Sequence, residues 1–427
     1  MGSDVAKPRW LYVVVPLNAI GSSVGSFVRL FILDLGGSVI DVGLAASAFN
    51  IALIPSAYIG GRLADYLGRR KLILIISAVG QLLSLVLMTF SGSIPVITLL
   101  FAVFSFFHSL SPPIFSLLLM ETVPRDGWGE GSAYSFRYGI YGSITGLAMS
   151  VTVLLFLPLR SMAFLPIAFS ITMLTLSLAL IKDPKKLAER RTVTFSRDAL
   201  MSRLAELPVI LLRLPSALDF RMLSRSLRNS LTRDVPLIMS ASALFFLSAN
   251  LFFTSYTPFL KLNGLSYIEI VGLDLFVTII NGLASSRPFK ELSKRGDPGI
   301  VVEFLTLRAM AFLFGALSSL YFTGRPILYS TLLIYLLIGV AYTNITIGLN
   351  AMLYRLLPDG RHGGALGIYS SLNSVAMFAG SILSGTISFF LGFPITFLLS
   401  SLSLFAAASL FEWHFKPRRY EEYEEPF

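Results

Sequence analysis

The chain has 427 residues, of which 55% are hydrophobic and 14% are charged, with a net charge of +10 and no cysteine. Soluble proteins carry about 25% charged residues, so this composition and a mean hydropathy of +0.75 exclude an ordinary soluble domain. The lack of cysteine also excludes disulfides, thiolate metal sites and thiol nucleophiles.

Twelve apolar stretches succeed one another along the sequence. Each has about 20 residues, enough for a helix to cross a bilayer. Lipid cannot satisfy exposed backbone groups, so we expect all of them to be helices, with kinks at internal prolines such as Pro112 and Pro113. We number them as spans 1 to 12, and they cover about 10–33, 42–61, 72–90, 95–120, 131–155, 162–181, 236–260, 268–288, 299–322, 327–353, 363–390 and 393–415.

Lys and Arg are concentrated in alternate connections between the spans. The 182–235 segment after span 6 holds twelve basic and six acidic residues, whereas the connections on the opposite side hold only Arg160, Lys261 and Arg325. Because basic connections stay in the cytoplasm, this asymmetry predicts a multi-pass protein of the cell membrane with both termini cytoplasmic. We therefore interpret the net charge as a topology signal and a contact with anionic lipid, and not as a nucleic-acid footprint.

The chain on either side of the basic 182–235 segment is internally similar. Residues 27–43 and 253–272 share an apolar helix end, a small turn, an acid and a glycine. Leucines near helical spacing within 182–235 predict an amphipathic helix on the cytoplasmic face, with a flexible linker as the alternative. We divide the chain into an N-terminal six-helix bundle (1–181), a basic linker (182–235), a C-terminal six-helix bundle (236–415) and a cytoplasmic tail (416–427).

The short basic turn between spans 2 and 3 carries a specific pattern. It reads Gly60-Gly61-Arg62-Leu63-Ala64-Asp65-Tyr66-Leu67-Gly68-Arg69-Arg70-Lys71. This turn resembles the loop between the second and third helices of the major facilitator superfamily, roughly G-x-L-A-D-x-x-G-R-R/K, and departs from it at Tyr66. The resemblance implies an all-α membrane protein with twelve transmembrane helices in two six-helix bundles related by a pseudo-two-fold axis.

The resemblance also implies a function. It predicts a monomeric secondary transporter that carries a small-molecule substrate by alternating access, with protons as the expected coupling ion. In the family, the acid of this turn pairs with a nearby arginine and with the start of helix 11. The implied gating motif consists of Gly61, Asp65, Gly68, Arg69 and Arg70, and its alternative is a turn that only sets topology.

Charged residues inside apolar spans are the second group of candidates, because a charge at this depth usually faces water or a partner. Asp274 is our first choice for a coupling carboxylate, with a satisfied interhelical hydrogen bond as its alternative. Arg137, Arg29 and Asp34 are the other coupling candidates, and Arg29 could also snorkel towards water. Glu303 and Arg308 in span 9 receive no role.

Polar side chains on the spans that line the family's central path form the third group. Each of them could equally serve a helix–helix hydrogen bond. The substrate-cavity candidates are Asn18, His108, Tyr138, Tyr141, Asn250, Tyr256, Tyr342 and Asn344.

Several chemistries have no matching pattern. No Gly-Lys dipeptide occurs, so a phosphate-binding P-loop is excluded, and His108, His362 and His414 show no paired metal-ligand spacing. We expect no cofactor, no metal, no catalytic residue and no enzymatic activity. Drug-type efflux and metabolite uptake both stay open, and the rival hypothesis is a non-transporting receptor or scaffold that signals through residues 182–235.

Overall fold

The computed structural model describes residues 8–67, 69–123, 128–182, 234–285, 298–356 and 362–421. These ranges are almost entirely helical, contain no strand, and include twelve helices long and apolar enough to cross a membrane. The helices are α1 (Leu11–Asp34), α2 (Val39–Leu67), α3 (Arg70–Phe90), α4a (Ile94–His108), α4b (Ser111–Thr122), α5 (Trp128–Phe156), α6 (Phe164–Leu180), α7 (Asp234–Leu262), α8 (Tyr267–Ser285), α9 (Pro298–Tyr321), α10 (Arg325–Leu356), α11 (His362–Leu391) and α12 (Phe393–Glu421).

The twelve predicted spans are confirmed as helices, with one division that the sequence analysis treated as a kink. Span 4 consists of α4a and α4b, which are separated at Ser109 and Leu110. Pro112 and Pro113 lie in the first turn of α4b. Proline lacks a backbone donor and its ring clashes with the preceding turn, so the helix is interrupted just before the pair.

Two other boundaries concern the parts between and after the bundles. Helix α12 continues to Glu421 and so extends beyond the predicted span 393–415. The amphipathic helix expected within 182–235 falls almost wholly outside the described residues, which resume at Asp234.

The even number of spans places the start of α1 and the end of α12 on the same side of the bundle. We call this the terminal side and the opposite side the far side. Helices α1, α3, α5, α7, α9 and α11 run from the terminal side to the far side, and the others run back.

The helices of each half pack mainly on one another. In the N-terminal half, α1 lies against α5, where a side chain at Gly142 would overlap the carbonyl oxygen of Val15. In the C-terminal half, α7, α9 and α12 share an aromatic core in which the rings of Phe252 and Phe312 stack with centroids 4.1 Å apart. Close backbone approach and aromatic stacking therefore hold together the helices within each half.

Two seams join the halves, one between α2 and α11 and one between α5 and α8. The first seam is closest near the far side, where a Cβ added to Gly43 would lie 2.9 Å from the Cα of Gly385. Only glycine at both positions permits this distance between backbones. The halves are thus in tight contact at the far side.

Candidate functional site

A cavity of about 590 Å³ lies between the halves. Its walls come from α1, α4a, α4b, α5, α8 and α10, and it extends from the middle of the bundle towards the terminal side, where Trp10 and Leu119 line it. None of its described lining residues is Asp, Glu, Lys or Arg. The polar groups of the central part are Asn18, Ser22, His108, Ser143, Thr278, Asn281, Tyr342 and Thr343.

His108 lies in this wall at the point where α4a ends. Its Nδ1 is 3.0 Å from Oε1 of Gln81, whose Nε2 donates to Ser77 Oγ at 2.9 Å. The Gln81 oxygen can only accept a hydrogen bond. The Nδ1 of His108 therefore carries the proton, and the Nε2 of His108 is left as an acceptor. A Cβ at Gly21 would lie 3.1 Å from Nε2, so this glycine leaves room for the ring beside α1.

An ion pair connects the halves on the far side of the cavity. Arg29 of α1 places Nη2 3.2 Å from Oδ2 of Asp274 on α8. Ser26 Oγ donates to the same carboxylate oxygen at 2.5 Å. The side chains of Arg29 and Asp274 are 23% and 16% exposed, so solvent screens their attraction only in part.

This ion pair lies one helical turn beyond the cavity. Thr278 lines the cavity and donates to the backbone carbonyl of Asp274, and Ser22 lines it one turn before Ser26. Four residues of α-helix span about 6 Å. The far-side end of the cavity and the charged contact between the halves are therefore directly connected through α1 and α8.

A second polar contact joins the halves near the middle of α2. Asn50 Nδ2 donates into a group of three acceptors, Ser381 Oγ at 2.9 Å, the carbonyl of Met377 at 3.2 Å and Asn250 Oδ1 at 3.1 Å. One side chain of the N-terminal half thus binds both α11 and α7. Nearer the far surface, Tyr267 of α8 donates its hydroxyl to Oδ1 of Asp34 at 2.6 Å, which links α8 to the end of α1.

The comparisons with known proteins bear on this arrangement. The family model described as Major Facilitator Superfamily matches residues 11–342, more than half of the chain. This chain belongs to the major facilitator superfamily. A search of the curated proteins gives no match.

Solved structures of major facilitator transporters share the fold. The nucleoside transporter NupG has a TM-score of 0.67 at 15% identity, covering 96% of this chain and 98% of that one. The peptide transporter POT gives 0.69 at 16% identity, with coverage of 96% and 95%. The human organic anion transporter MFSD10 gives 0.62 at 17% identity, with coverage of 94% and 97%. At these identities the likeness shows the fold alone.

The motif that carries the resemblance to this superfamily is described only in part. Arg70 is buried and its Nη2 lies 2.8 Å from Oε1 of Glu121 on α4b. This contact ties α3 to α4b within the N-terminal half. Gly68 and the surroundings of Gly61 and Asp65 lie outside what the structure describes. The gating role of the motif therefore stays a prediction.

The predicted cavity residues separate into three groups in this superfamily member. Asn18, His108 and Tyr342 line the cavity. Asn250 binds Asn50 in the seam, and Tyr256 is fully buried against Thr331. Tyr138, Tyr141 and Asn344 are not lining residues: the rings of Tyr138 and Tyr141 contact each other, with Tyr141 exposed, and Asn344 donates to Val340.

The four coupling candidates also have different surroundings. Asp274 and Arg29 form the ion pair, and Asp34 accepts from Tyr267. Arg137 is exposed on α5 and lies outside the cavity wall. No partner of Asp274 was predicted from the sequence, and its partner in the structure, Arg29, lies 245 positions away.

Several residues of this arrangement were missed from the sequence. They are Ser26, Asn50, Gln81, Asn281 and Ser381. Asn50 and Gln81 carry a usable signal, because a side-chain amide inside an apolar span needs a partner. Serines are too common in such spans to be informative. In the described part of the chain, no three His, Asp or Glu side chains come together as metal ligands.

Proposed function

We propose that this protein is a secondary active transporter that moves a small solute by alternating access and couples it to protons through Asp274. The observation that carries the proposal is the Arg29–Asp274 ion pair, which joins the two halves one turn beyond the cavity. In that position Asp274 lies close to both the solute site and the contact between the halves.

The physics of the ion pair supplies the coupling. Opening the far side must separate Arg29 from Asp274, and separating partly buried opposite charges is costly. A proton on Asp274 removes the negative charge and with it most of this cost. Arg29 then retains its hydrogen bond to the carbonyl of Gly25.

The remaining polar contacts between the halves break in the same movement. Asn50 must leave Ser381 and Asn250, and Tyr267 must leave Asp34. Because these groups are neutral or closer to the surface, each adds less than the ion pair. We assign the terminal side to the cytoplasm from the distribution of basic residues, so that the cavity faces inward here. Asp65 and its motif would then hold the terminal side when the halves rock the other way.

The solute class is not decided by the fold. The structural neighbours are named as transporters of nucleosides, peptides and organic anions. The cavity of about 590 Å³ falls within the range of roughly 300–1,000 Å³ that small-molecule sites occupy. Drug-type efflux and metabolite uptake differ in direction, which the sign of the pH dependence will distinguish.

The test is solute flux into proteoliposomes that contain purified protein and an internal pH indicator. A panel of nucleosides, dipeptides and small organic anions is added with and without an imposed pH gradient. We expect at least one class to be accumulated only with the gradient. Asp274→Asn should abolish gradient-driven accumulation and keep exchange of solute against solute, because exchange needs no change in protonation. Glu303→Gln, an exposed carboxylate on α9, is the matched control.

Two results would count against the proposal in different ways. If no solute of the panel moves in the wild-type protein, the receptor or scaffold hypothesis gains instead. If Asp274→Asn accumulates solute as the wild type does, transport stands and the coupling through Asp274 does not.

A further inference from the structure

Arg308 is a buried cation that takes no part in the ion pair between Arg29 and Asp274. It lies near the middle of α9 and is only 1% exposed. Its Nε and Nη1 have no hydrogen-bond partner among the described residues. Glu303, the nearest acid on the same helix, is exposed. A buried guanidinium without a carboxylate is among the most costly arrangements in a membrane protein.

Aromatic rings surround the guanidinium. Its carbon lies 4.8 Å from the ring centroid of Phe245, 5.3 Å from that of Phe312, and 5.7 Å from those of Phe253 and Tyr342. Cation–π contacts offset part of the desolvation of the charge. They do not accept the N–H groups in the way an oxygen does, so the hydrogen-bonding capacity of Arg308 is left unused.

One side of this aromatic cage is also a wall of the cavity. Tyr342 contacts the guanidinium and lines the cavity, and its ring stacks on Phe245 with centroids 6.1 Å apart. Asn281, which lines the same cavity, has an Oδ1 without a partner in the described part of the chain. A rotation of the Tyr342 side chain would therefore connect a neutral cavity, which Asn281 already lines, to a positive charge.

We propose that Arg308 binds the anionic group, a carboxylate or phosphate, of the solute that the cavity admits. This assignment rests on the proposed transport function and adds the substrate class. The anion reaches Arg308 past Tyr342, because the side chain is closed on its other sides by Phe245, Phe253 and Phe312. A bidentate oxyanion would satisfy Nε and Nη1, and the Asn281 amide would contact the rest of the solute.

A structural role and a binding role predict opposite effects of Arg308→Met. If Arg308 served only packing, removing it would lower the melting temperature. If it is held unpaired for a ligand, an apolar side chain of similar length should leave the ligand-free protein equally or more stable and weaken anion binding. Arg308→Lys keeps a charge without the planar fork and provides a second, more conservative variant.

The experiment measures melting temperature and binding for purified protein in detergent at constant ionic strength. The probes are benzoate and inorganic phosphate, with benzamide as the uncharged counterpart of benzoate. We expect an anion to raise the melting temperature of the wild type by about 2–4 °C and benzamide to have no such effect. Arg308→Met should weaken anion binding roughly tenfold or more, Arg308→Lys less, and Glu303→Gln not at all.

Four results would overturn the assignment. These are no stabilisation of the wild type by either anion, equal effects of benzoate and benzamide, unchanged anion binding in Arg308→Met, and stabilisation by added phosphatidylglycerol alone, which would indicate a lipid headgroup. Flux separates the two proposals. If the wild type and Arg308→Met transport neutral solutes equally well, the transport proposal holds and the anion proposal fails. If anion binding depends on Arg308 but no solute is transported, the anion site holds and the transport proposal fails.

Discussion

Two arginines within the membrane-spanning helices, Arg29 and Arg308, have opposite surroundings. Arg29 has a carboxylate 3.2 Å away on the other half of the molecule and a backbone carbonyl on its own helix. Arg308 has neither at its Nε and Nη1 among the described residues, and aromatic rings enclose it within one half. A charge whose partner lies on the other half stabilises one relative position of the halves. A charge without a partner stabilises nothing until a ligand supplies one.

This difference also separates two tasks of a transporter. The contact between Arg29 and Asp274 can only change when the halves move, so it reports conformation. The environment of Arg308 can change through the rotation of a single ring, Tyr342, without movement of the halves. Under the two proposals, movement of the halves and solute binding depend on different charges: Arg29 lies beyond the far-side end of the cavity, and Arg308 lies behind Tyr342 of its wall.

The largest effect is expected from fixing the seam. The chain has no cysteine, so Asn50→Cys with Ser381→Cys introduces one unique pair at a contact of 2.9 Å. Oxidation, or a short methanethiosulfonate cross-linker, should abolish transport completely, and reduction should restore it. Each single variant treated in the same way is the control. Full transport by the cross-linked protein would mean that this seam does not open.

Breaking the ion pair should have the next largest effect. Arg29→Met leaves the Asp274 carboxylate without its cation, which should lower stability by about 1–3 kcal/mol, between the values for exposed and buried pairs. Arg308→Met should not lower it. Thermal unfolding of both variants in the same detergent makes the measurement. Equal destabilisation of the two would remove the contrast between a paired and an unpaired charge.

Steric separation of the helices should weaken the far-side contact without touching a charge. Gly43→Val places two methyl groups against the backbone of Gly385, and overpacking of this kind costs about 1–3 kcal/mol. The state closed at the far side should become less populated. Labelling of Ser47→Cys by a membrane-impermeant maleimide should then be faster than in the Gly43-containing background. Unchanged labelling would show that the seam has room for the side chain.

The smallest effect is expected at the far surface. Tyr267→Phe removes the hydroxyl that donates to Asp34 and keeps the ring. A net hydrogen-bond contribution of about 0.5–1.5 kcal/mol corresponds to a change in the closed population of roughly tenfold or less. Labelling of the same Ser47→Cys reporter measures it on the same scale. An effect larger than that of Gly43→Val would mean that the contact between Tyr267 and Asp34, and not the seam between α2 and α11, is the main barrier to opening the far side.

Site residues could be predicted where the signal belongs to one residue, and not where it depends on a contact between two helices. Asp274 and Arg29 stood out in the sequence because a charge in an apolar span is conspicuous by itself. Their pairing was not predicted, since it depends on how α1 and α8 are rotated about their own axes. Tyr256 shows the same limitation: no described residue of α7 lines the cavity, and the side chain of Tyr256 faces the aromatic core.

The sequence by itself determined the membrane environment, the twelve spans and the family, because hydropathy, basic connections and the turn after span 2 are local properties of the chain. Only the tertiary structure decided which polar groups meet. Asn50 acquires partners on α7 and α11, Asp274 acquires Arg29, and Arg308 acquires none among the described residues. The physical reason is that helix rotation and register are set by packing over the whole bundle, where small residues such as Gly43 and Gly385 allow contacts that no single span encodes.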